Sequence, residues 1–299
     1  MKTRIISAAV AIVLLAGVMY LGSTAIGIAV FILALIGIHE FYNALEKIGF
    51  KPVYLVGYLS CLMLLYPVVS SLTESGMRAM LGGKSASAGG MNALIIGMST
   101  LTGGNMLMIA AMLAFAMLVL LFCLMMFSNG RYSLADVAMT LLGITYIPFL
   151  FYFVTITRYT SLGYLYIWLI FIGAWATDTF AYFTGVTIGK TKILPKISPK
   201  KSLEGCIGGV LGCMLAMLLF GLYFKDVLKI PLLHFVILGL LCGVISQIGD
   251  WSASAVKRAA GIKDYGNIMP GHGGVLDRLD SILFVAPVVY FYIKLIFLG

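Results

Sequence analysis

An all-α, polytopic integral membrane protein with about nine transmembrane helices is the architecture this sequence predicts. Its 299 residues are 62% hydrophobic and 10% charged, with a mean hydropathy of +1.07, which is more apolar surface than one soluble core can enclose. The apolar residues gather into runs of about 20, the length that crosses a hydrocarbon core about 30 Å thick. Those runs are continuous, without the period-two alternation of a barrel wall, so helices rather than strands are expected to span.

The predicted segments lie near 5–21, 24–40, 53–72, 106–127, 134–154, 164–186, 205–224, 231–249 and 281–298. The opening Lys2-Thr3-Arg4 and the run behind it resemble a signal peptide, but a second run starts a few residues later, so the first is read as an uncleaved helix. The first two form a hairpin turning at Gly22-Ser23-Thr24 and ending in His39-Glu40-Phe41-Tyr42, where His39 and Glu40 are expected at the interface in a structural role. Residues 75–105 are rich in Gly, Ser and Met and contain Gly82-Gly83-Lys84-Ser85. A phosphate-binding loop would need glycine where Arg78 stands, so the stretch predicts an outer loop with a short interfacial helix around 92–101. Arg131 and Asp136 flank the turn Ser128-Asn129-Gly130, where pairing or capping accounts for them. Two regions follow: membrane helices with an outer loop over 1–160, and a catalytic membrane region over 161–299.

Charge and cysteine usage narrow the class further. The five cysteines, Cys61, Cys123, Cys206, Cys213 and Cys242, all fall in apolar runs with no CxxC pair, so they read as small buried hydrophobes. The net charge is +9. With the N-terminus in the cytoplasm, most basic residues fall inside, among them Lys2, Arg4, Lys47, Lys51, Arg131 and the clusters at 190–201 and 257–278. Because these residues flank membrane segments instead of studding a soluble face, nucleic acid is excluded as a partner.

Polar chemistry is concentrated in the second region. Asp178 lies within an apolar segment, where a buried carboxylate costs about 2.5–3.5 kcal/mol, and so predicts a polar cavity. The loop at 189–205 carries five lysines; Pro199 stiffens it and a helix opens behind Ser202 and Glu204, so Lys200 and Lys201 are expected to be aimed rather than merely solvated. The stretch from Ser254 to Asp280 sets Lys257, Arg258, Lys263 and Arg278 beside Asp264, Asp277 and Asp280. Cations for an anionic substrate next to carboxylates suit phosphate chemistry. Asp250 precedes this stretch, and Asp277 and Asp280 share a face if their turn is helical. Three oxygen ligands beside a basic cluster favour Mg²⁺, whereas the single His272 fits a hydrogen-bonding or packing role and makes zinc a poor choice. Gly271, Gly273 and Gly274 allow the backbone to approach a phosphate.

At these residues the chain resembles the phosphatidate cytidylyltransferases, or CDP-diacylglycerol synthases. The stretch S-A-V-K-R-A-A-G-I-K-D-Y-G-N-I-M-P-G-H-G-G-V-L-D-R-L-D follows that family's signature, Ser198-Pro199-Lys200-Lys201-Ser202-Leu203-Glu204-Gly205 is similar to its upstream motif, and Asp178 to Gly185 to a third. The sequence departs from the pattern at Met269, at Val186, where arginine is frequent, and at Ala253, where glutamate is frequent. The resemblance implies that CTP and phosphatidate give CDP-diacylglycerol and pyrophosphate in a bacterial cytoplasmic membrane, at a cavity opening to the cytoplasmic side. It implies Mg²⁺ on Asp250, Asp277 and Asp280, with a second monovalent or divalent cation and a homodimer left open. Lys200, Lys201, Lys257, Arg258, Lys263 and Arg278 would divide between the triphosphate and the lipid phosphate. Ser202, Ser254 and the backbone at Gly273 and Gly274 would donate hydrogen bonds, Asp178 would line the cavity, and Asp264 and His272 would complete the substrate site.

Three other classes are weighed against this. A transporter using Asp178 for a coupling ion would show two related halves, and none are evident. A lipid kinase using CTP would release CDP instead of pyrophosphate. A serine hydrolase lacks its G-x-S-x-G elbow.

Overall fold

The computed structural model describes residues 2–72, 106–268 and 273–297. The expected outer loop, with its helix near 92–101, and positions 269–272, His272 and Met269 among them, lie outside the described residues. Within those residues the chain is helical, relieved by one isolated antiparallel bridge between Lys192 and Ser202. We number the helices α1 (Lys2–Leu21), α2 (Ser23–Glu46), α3 (Tyr54–Leu72, with a 3-10 turn at Leu62–Leu65), α4 (Met106–Phe127), α5 (Leu134–Tyr146), α6 (Pro148–Arg158), α7 (Gly163–Thr187), α8 (Leu203–Tyr223), α9 (Leu232–Ala259) and α10 (Leu276–Tyr292). A π-helical turn, Ile293–Phe297, extends α10.

Seven stretches among the described residues are long and apolar enough to cross a membrane: α2, α3, α5 with α6, α7, α8, α9, and α10 with its π turn. This is a polytopic integral membrane protein. Helices α1 and α4 occupy the positions of the first and fourth predicted segments.

The element boundaries follow local chemistry. Ser133 accepts from the Asp136 N–H at 3.2 Å while Asp136 accepts from the Ser133 N–H at 2.8 Å, a capping box that opens α5. The other Asp136 oxygen accepts from the Lys51 N–H at 2.6 Å, so the expected capping role extends to tying α5 to the end of the first hairpin. The segment predicted at 134–154 is broken at Ile147, because Pro148 supplies no N–H and its ring blocks the preceding turn. The segment predicted at 231–249 runs ten residues further, to Ala259. The apolar run ends at Gly249, but Ser-Ala-Ser-Ala-Val-Lys-Arg-Ala continues as a good helix former. Lys257 and Arg258 complement the dipole in its last turn, and Gly261, at φ +65°, stops it. Asp250, Ser254 and Lys257 therefore stand on a helix, not on a loop.

The main core lies where α2, α6, α7, α9 and α10 meet, around Ile38, Phe41, Phe151, Ile170, Cys242 and Leu283. Helices α7, α8, α9 and α10 pack in succession. Small residues let α7 and α8 approach closely: a Cβ on Gly209 would stand 2.9 Å from Ala181 Cβ and 3.0 Å from Thr177 O. Cys61, Cys213 and Cys242 are buried as expected, whereas Cys123 is exposed and Cys206 half-buried.

Candidate active site

The lysine-rich loop is a folded hairpin. Ser202 caps α8, its hydroxyl accepting from the Gly205 N–H at 3.2 Å. Glu204 reaches back across the loop to accept from the Lys190 N–H at 3.0 Å and the Thr191 N–H at 3.2 Å, and the Leu203 N–H donates to Thr191 O at 2.8 Å. With both ends pinned, Lys201 points inward and pairs with the Asp250 carboxylate, its Nζ 5.9 Å from the centre of the Trp251 ring. Lys200 is exposed. Of the two lysines expected to be aimed, the hairpin directs Lys201. Ser202, expected as a substrate donor, is 2% exposed and serves as the acceptor that caps α8.

Burial holds the Lys201 ammonium below its usual range, while Asp178 and Asp280 pull it part of the way back. The protonated form is the one that can pair with phosphate. Turnover should therefore fall on the alkaline side before the ordinary lysine range of about 10.4. Lys201→Arg, charged throughout, should remove that limb from a kcat/KM profile.

Seven residues along α9 from Asp250, Lys257 projects from the same face and binds Asp277 Oδ1 at 2.6 Å. Asp277 Oδ2 accepts from the Tyr265 N–H at 2.8 Å and the Gly274 N–H at 3.0 Å. The Tyr265 ring lies 5.4 Å from Lys257 Nζ, and its hydroxyl donates to Ala253 O at 3.2 Å. Burial, reinforced by Asp277 and Asp280, lifts this phenol well above its usual range, so Tyr265 stays neutral as a brace. One carboxylate thus holds both ends of the 261–274 loop. The Gly274 N–H, expected to face a phosphate, is used within that brace. Arg258 is exposed, with Nε donating to Ile197 O at 3.2 Å, so it joins the catalytic loop to the lysine hairpin. Lys263 and Asp264 are exposed on the same loop, Asp264 lying beside Gly273, whose φ of +88° requires glycine. Ser254 is half-buried on α9.

Asp280 is 7% exposed and accepts from the Ser281 N–H at 2.8 Å. Helices α9 and α10 cross at Gly249, where a Cβ would stand 2.8 Å from Asp280 O. From α7, Asp178 lies within electrostatic range of Asp280, Lys201 and Arg278, yet is exposed within its span. Asp178, Asp250 and Asp280 are thus arranged about Lys201.

Asp277 lies within electrostatic range of Asp280. A divalent ion needs free carboxylate oxygens, and both of the Asp277 oxygens are engaged by Lys257 and two backbone N–H groups. Among the described residues no group of three or more His, Cys, Asp or Glu side chains is disposed to hold a metal ion. Asp250 is likewise engaged, by Lys201. One or two carboxylates with substrate phosphates suffice for Mg²⁺.

One residue of the site was placed differently by sequence reasoning. Glu40, expected at the interface, is 3% exposed, and its two oxygens accept from the Val275 N–H at 3.0 Å and the Leu276 N–H at 2.9 Å, capping α10 from another helix. A Cβ on Gly274 would stand 2.5 Å from Glu40 Oε1, which explains the glycine there. Its neighbour His39 holds the Tyr58 hydroxyl at 2.7 Å, the structural role expected of it. Glu40→Ala should destabilise the protein by about 2–4 kcal/mol, because two buried donors lose a charged acceptor. Thermal unfolding in detergent reads this, and Glu40→Gln, which keeps one acceptor, should lie between the two.

A profile of the cytidylyltransferase family matches residues 2–296. The phosphatidate cytidylyltransferase of Staphylococcus haemolyticus is 32% identical over 290 residues, which is 97% of this chain and 97% of that protein. That of Bacillus subtilis is 35% identical over 182 residues, 60% of this chain and 66% of the relative, and that of Thermotoga maritima is 32% identical over 167 residues, 55% and 60%. Alignment thus spans about two thirds or less of the latter two, and nearly all of the first. Matched by the profile over nearly its whole length, and by one relative over 97% of both proteins, this chain belongs to the cytidylyltransferase family, among the phosphatidate cytidylyltransferases.

Proposed function

We propose that the protein transfers a cytidylyl group from CTP to phosphatidate, with Mg²⁺, giving CDP-diacylglycerol and pyrophosphate for phospholipid synthesis. The observation that carries this reading is Lys201, fixed by a capped hairpin beside acids from α7, α9 and α10. A lipid phosphate oxygen attacks the α-phosphorus of CTP, and the bond from that phosphorus to the bridging oxygen of the leaving pyrophosphate breaks. No protein nucleophile is required; the work is neutralising repulsion between anions and aligning the attacking oxygen.

Lys201 and Lys257 are the partly buried cations on this path, and Arg278 and Lys263 guard its exposed side. Lys201, paired with Asp250, would turn to phosphate when one arrives. Lys257 stays with Asp277, keeping the loop and its exposed groups in register. Asp250 and Asp280 are the residues that would hold Mg²⁺, which supplies charge neutralisation of the reacting phosphates. Asp178 would keep the crevice polar where a headgroup leaves the bilayer.

The reading also places nine membrane spans, counting α1 and α4, with the N-terminus and the site facing the cytoplasm of a bacterial cell. The reactive groups would lie in 161–299, with 1–160 as a supporting bundle that contributes Glu40. The test is to incubate purified protein with Mg²⁺, phosphatidate and labelled CTP. Label should enter the lipid phase with release of pyrophosphate; release of CDP without cytidylate in lipid would make the protein a kinase instead.

A further inference from the structure

Helices α8 and α9 run antiparallel, and their close contacts step by four residues on each. A Cβ on Gly239 would stand 2.6 Å from Met214 Cα, and one on Gly243 would stand 2.9 Å from Val210 Cα. The next step pairs position 247 with Cys206, and there a glutamine takes the place of the small residue. Its Nε2 donates to Cys206 O at 3.1 Å and to Gly243 O of its own helix at 2.9 Å. One turn further on, the ion pair between Lys201 and Asp250 joins the same two helices at the mouth of the site.

Gln247 is 6% exposed, and an amide buried in a helix seam is costly unless its donors are engaged. Two carbonyls facing one amide group fix its orientation, because only the nitrogen can donate to both. Cys206 lies in the first turn of α8, its N–H donating to Ser202 O at 3.0 Å. Gln247 stands three residues before Asp250 on α9. Their bond therefore ties the turn of α8 behind Lys201 to the turn of α9 that leads to Asp250. Glu204 does not do this, since it fastens the hairpin to α8 alone, and Arg258 reaches Ile197 O from the exposed end of α9.

The ion pair at the mouth cannot keep the two helices in register throughout turnover. In the proposed function the ammonium leaves Asp250 for a phosphate, so that link opens when the placing of Lys201 matters most. The Gln247 bond is neutral and lies a turn deeper, where a phosphate does not compete for it. We propose that Gln247 is a positioning residue: by holding Cys206 to α9, it keeps Lys201 in register with the site while the ammonium passes from Asp250 to phosphate. This inference rests on the proposed function and adds to it a residue that acts through Lys201.

The experiment is a double-mutant cycle on full-length protein in detergent, with Mg²⁺ present and CTP and phosphatidate varied separately. Gln247→Met keeps an unbranched side chain of similar length and helix propensity and removes both donors. Cys206 O and Gly243 O lie within helices and keep their backbone N–H partners, so no buried group is orphaned and melting should stay within a few degrees of wild type. Gln247→Met alone should raise, about fivefold, the KM of whichever substrate Lys201→Ala affects, and leave the other KM unchanged. In the Lys201→Ala background it should change that KM by less than about twofold, because the side chain it places is gone. Gln247→Leu should follow the same pattern.

Effects that multiply in the double variant would make Gln247 a general packing residue and overturn the inference. Unchanged KM values in Gln247→Met, or a Lys201→Ala variant that behaves as wild type, would overturn it too. If neither Gln247 variant folds, the residue serves folding and the inference also falls. If wild type transfers no cytidylate to any lipid, the proposed function itself fails, an outcome distinct from an active enzyme in which the two effects multiply.

Discussion

Asp277→Asn should abolish turnover. The side chain is 3% exposed and accepts three hydrogen bonds, from Lys257 and from the Tyr265 and Gly274 N–H groups. An amide carries no charge and one acceptor oxygen; placed where Oδ2 stands, that oxygen keeps both backbone N–H groups and turns the NH2 toward the Lys257 ammonium, so the contact ion pair is lost. Breaking a buried pair in this way costs about 3–5 kcal/mol, equivalent to roughly 10²–10³ or more in a rate that depends on the braced state. Magnesium-dependent CTP consumption by the purified variant measures it. Near-normal turnover would remove Asp277 from any part in organising the site. Because the other helices do not depend on this carboxylate, helical content by circular dichroism should be retained.

Lys201→Ala should raise the KM for CTP or phosphatidate by about 10–100-fold, and Lys200→Ala should leave both close to wild type. The contrast comes from the hairpin: the bridge at Ser202 and the Glu204 clamp direct one of two adjacent lysines to Asp250 and leave the other exposed. A lysine that merely met lipid headgroups would be interchangeable with its neighbour, at about 1 kcal/mol each near the surface. Equal kinetic effects at 200 and 201 would therefore return the whole loop to that role. Measuring both substrates separately shows which phosphate Lys201 serves.

The helical membrane class was legible because it depends on composition and run length, which no long-range contact can alter. The end of α9 was not: hydropathy stops at Gly249, whereas the backbone is sustained by helix-forming alanines and stopped by Gly261, so the segment predicted to end at residue 249 continues to Ala259. The gathering of charge near Lys201 and Lys257 was visible as motif spacing. How that charge is shared was hidden, since in sequence the Ser202 hydroxyl and the Gly274 N–H suit a phosphate and the Asp277 carboxylate suits a metal ion. Only the fold shows them occupied by a helix cap and a loop brace. Glu40 was least legible. A carboxylate near the end of an apolar run looks like an interface residue, and nothing in its neighbours points to backbone groups more than 200 positions away.

The clasp between Glu40 and the first turn of α10 closes over 235 positions. A ribosome delivers the second helix early and the last one at the end, so the acceptor must wait in the bilayer for its donors. Until α10 arrives, the loop that carries Tyr265 and Gly274 has no anchor at its far side. A nascent or truncated chain would thus hold a carboxylate with nothing to grip, and competence to handle nucleotide would switch on only as synthesis finishes.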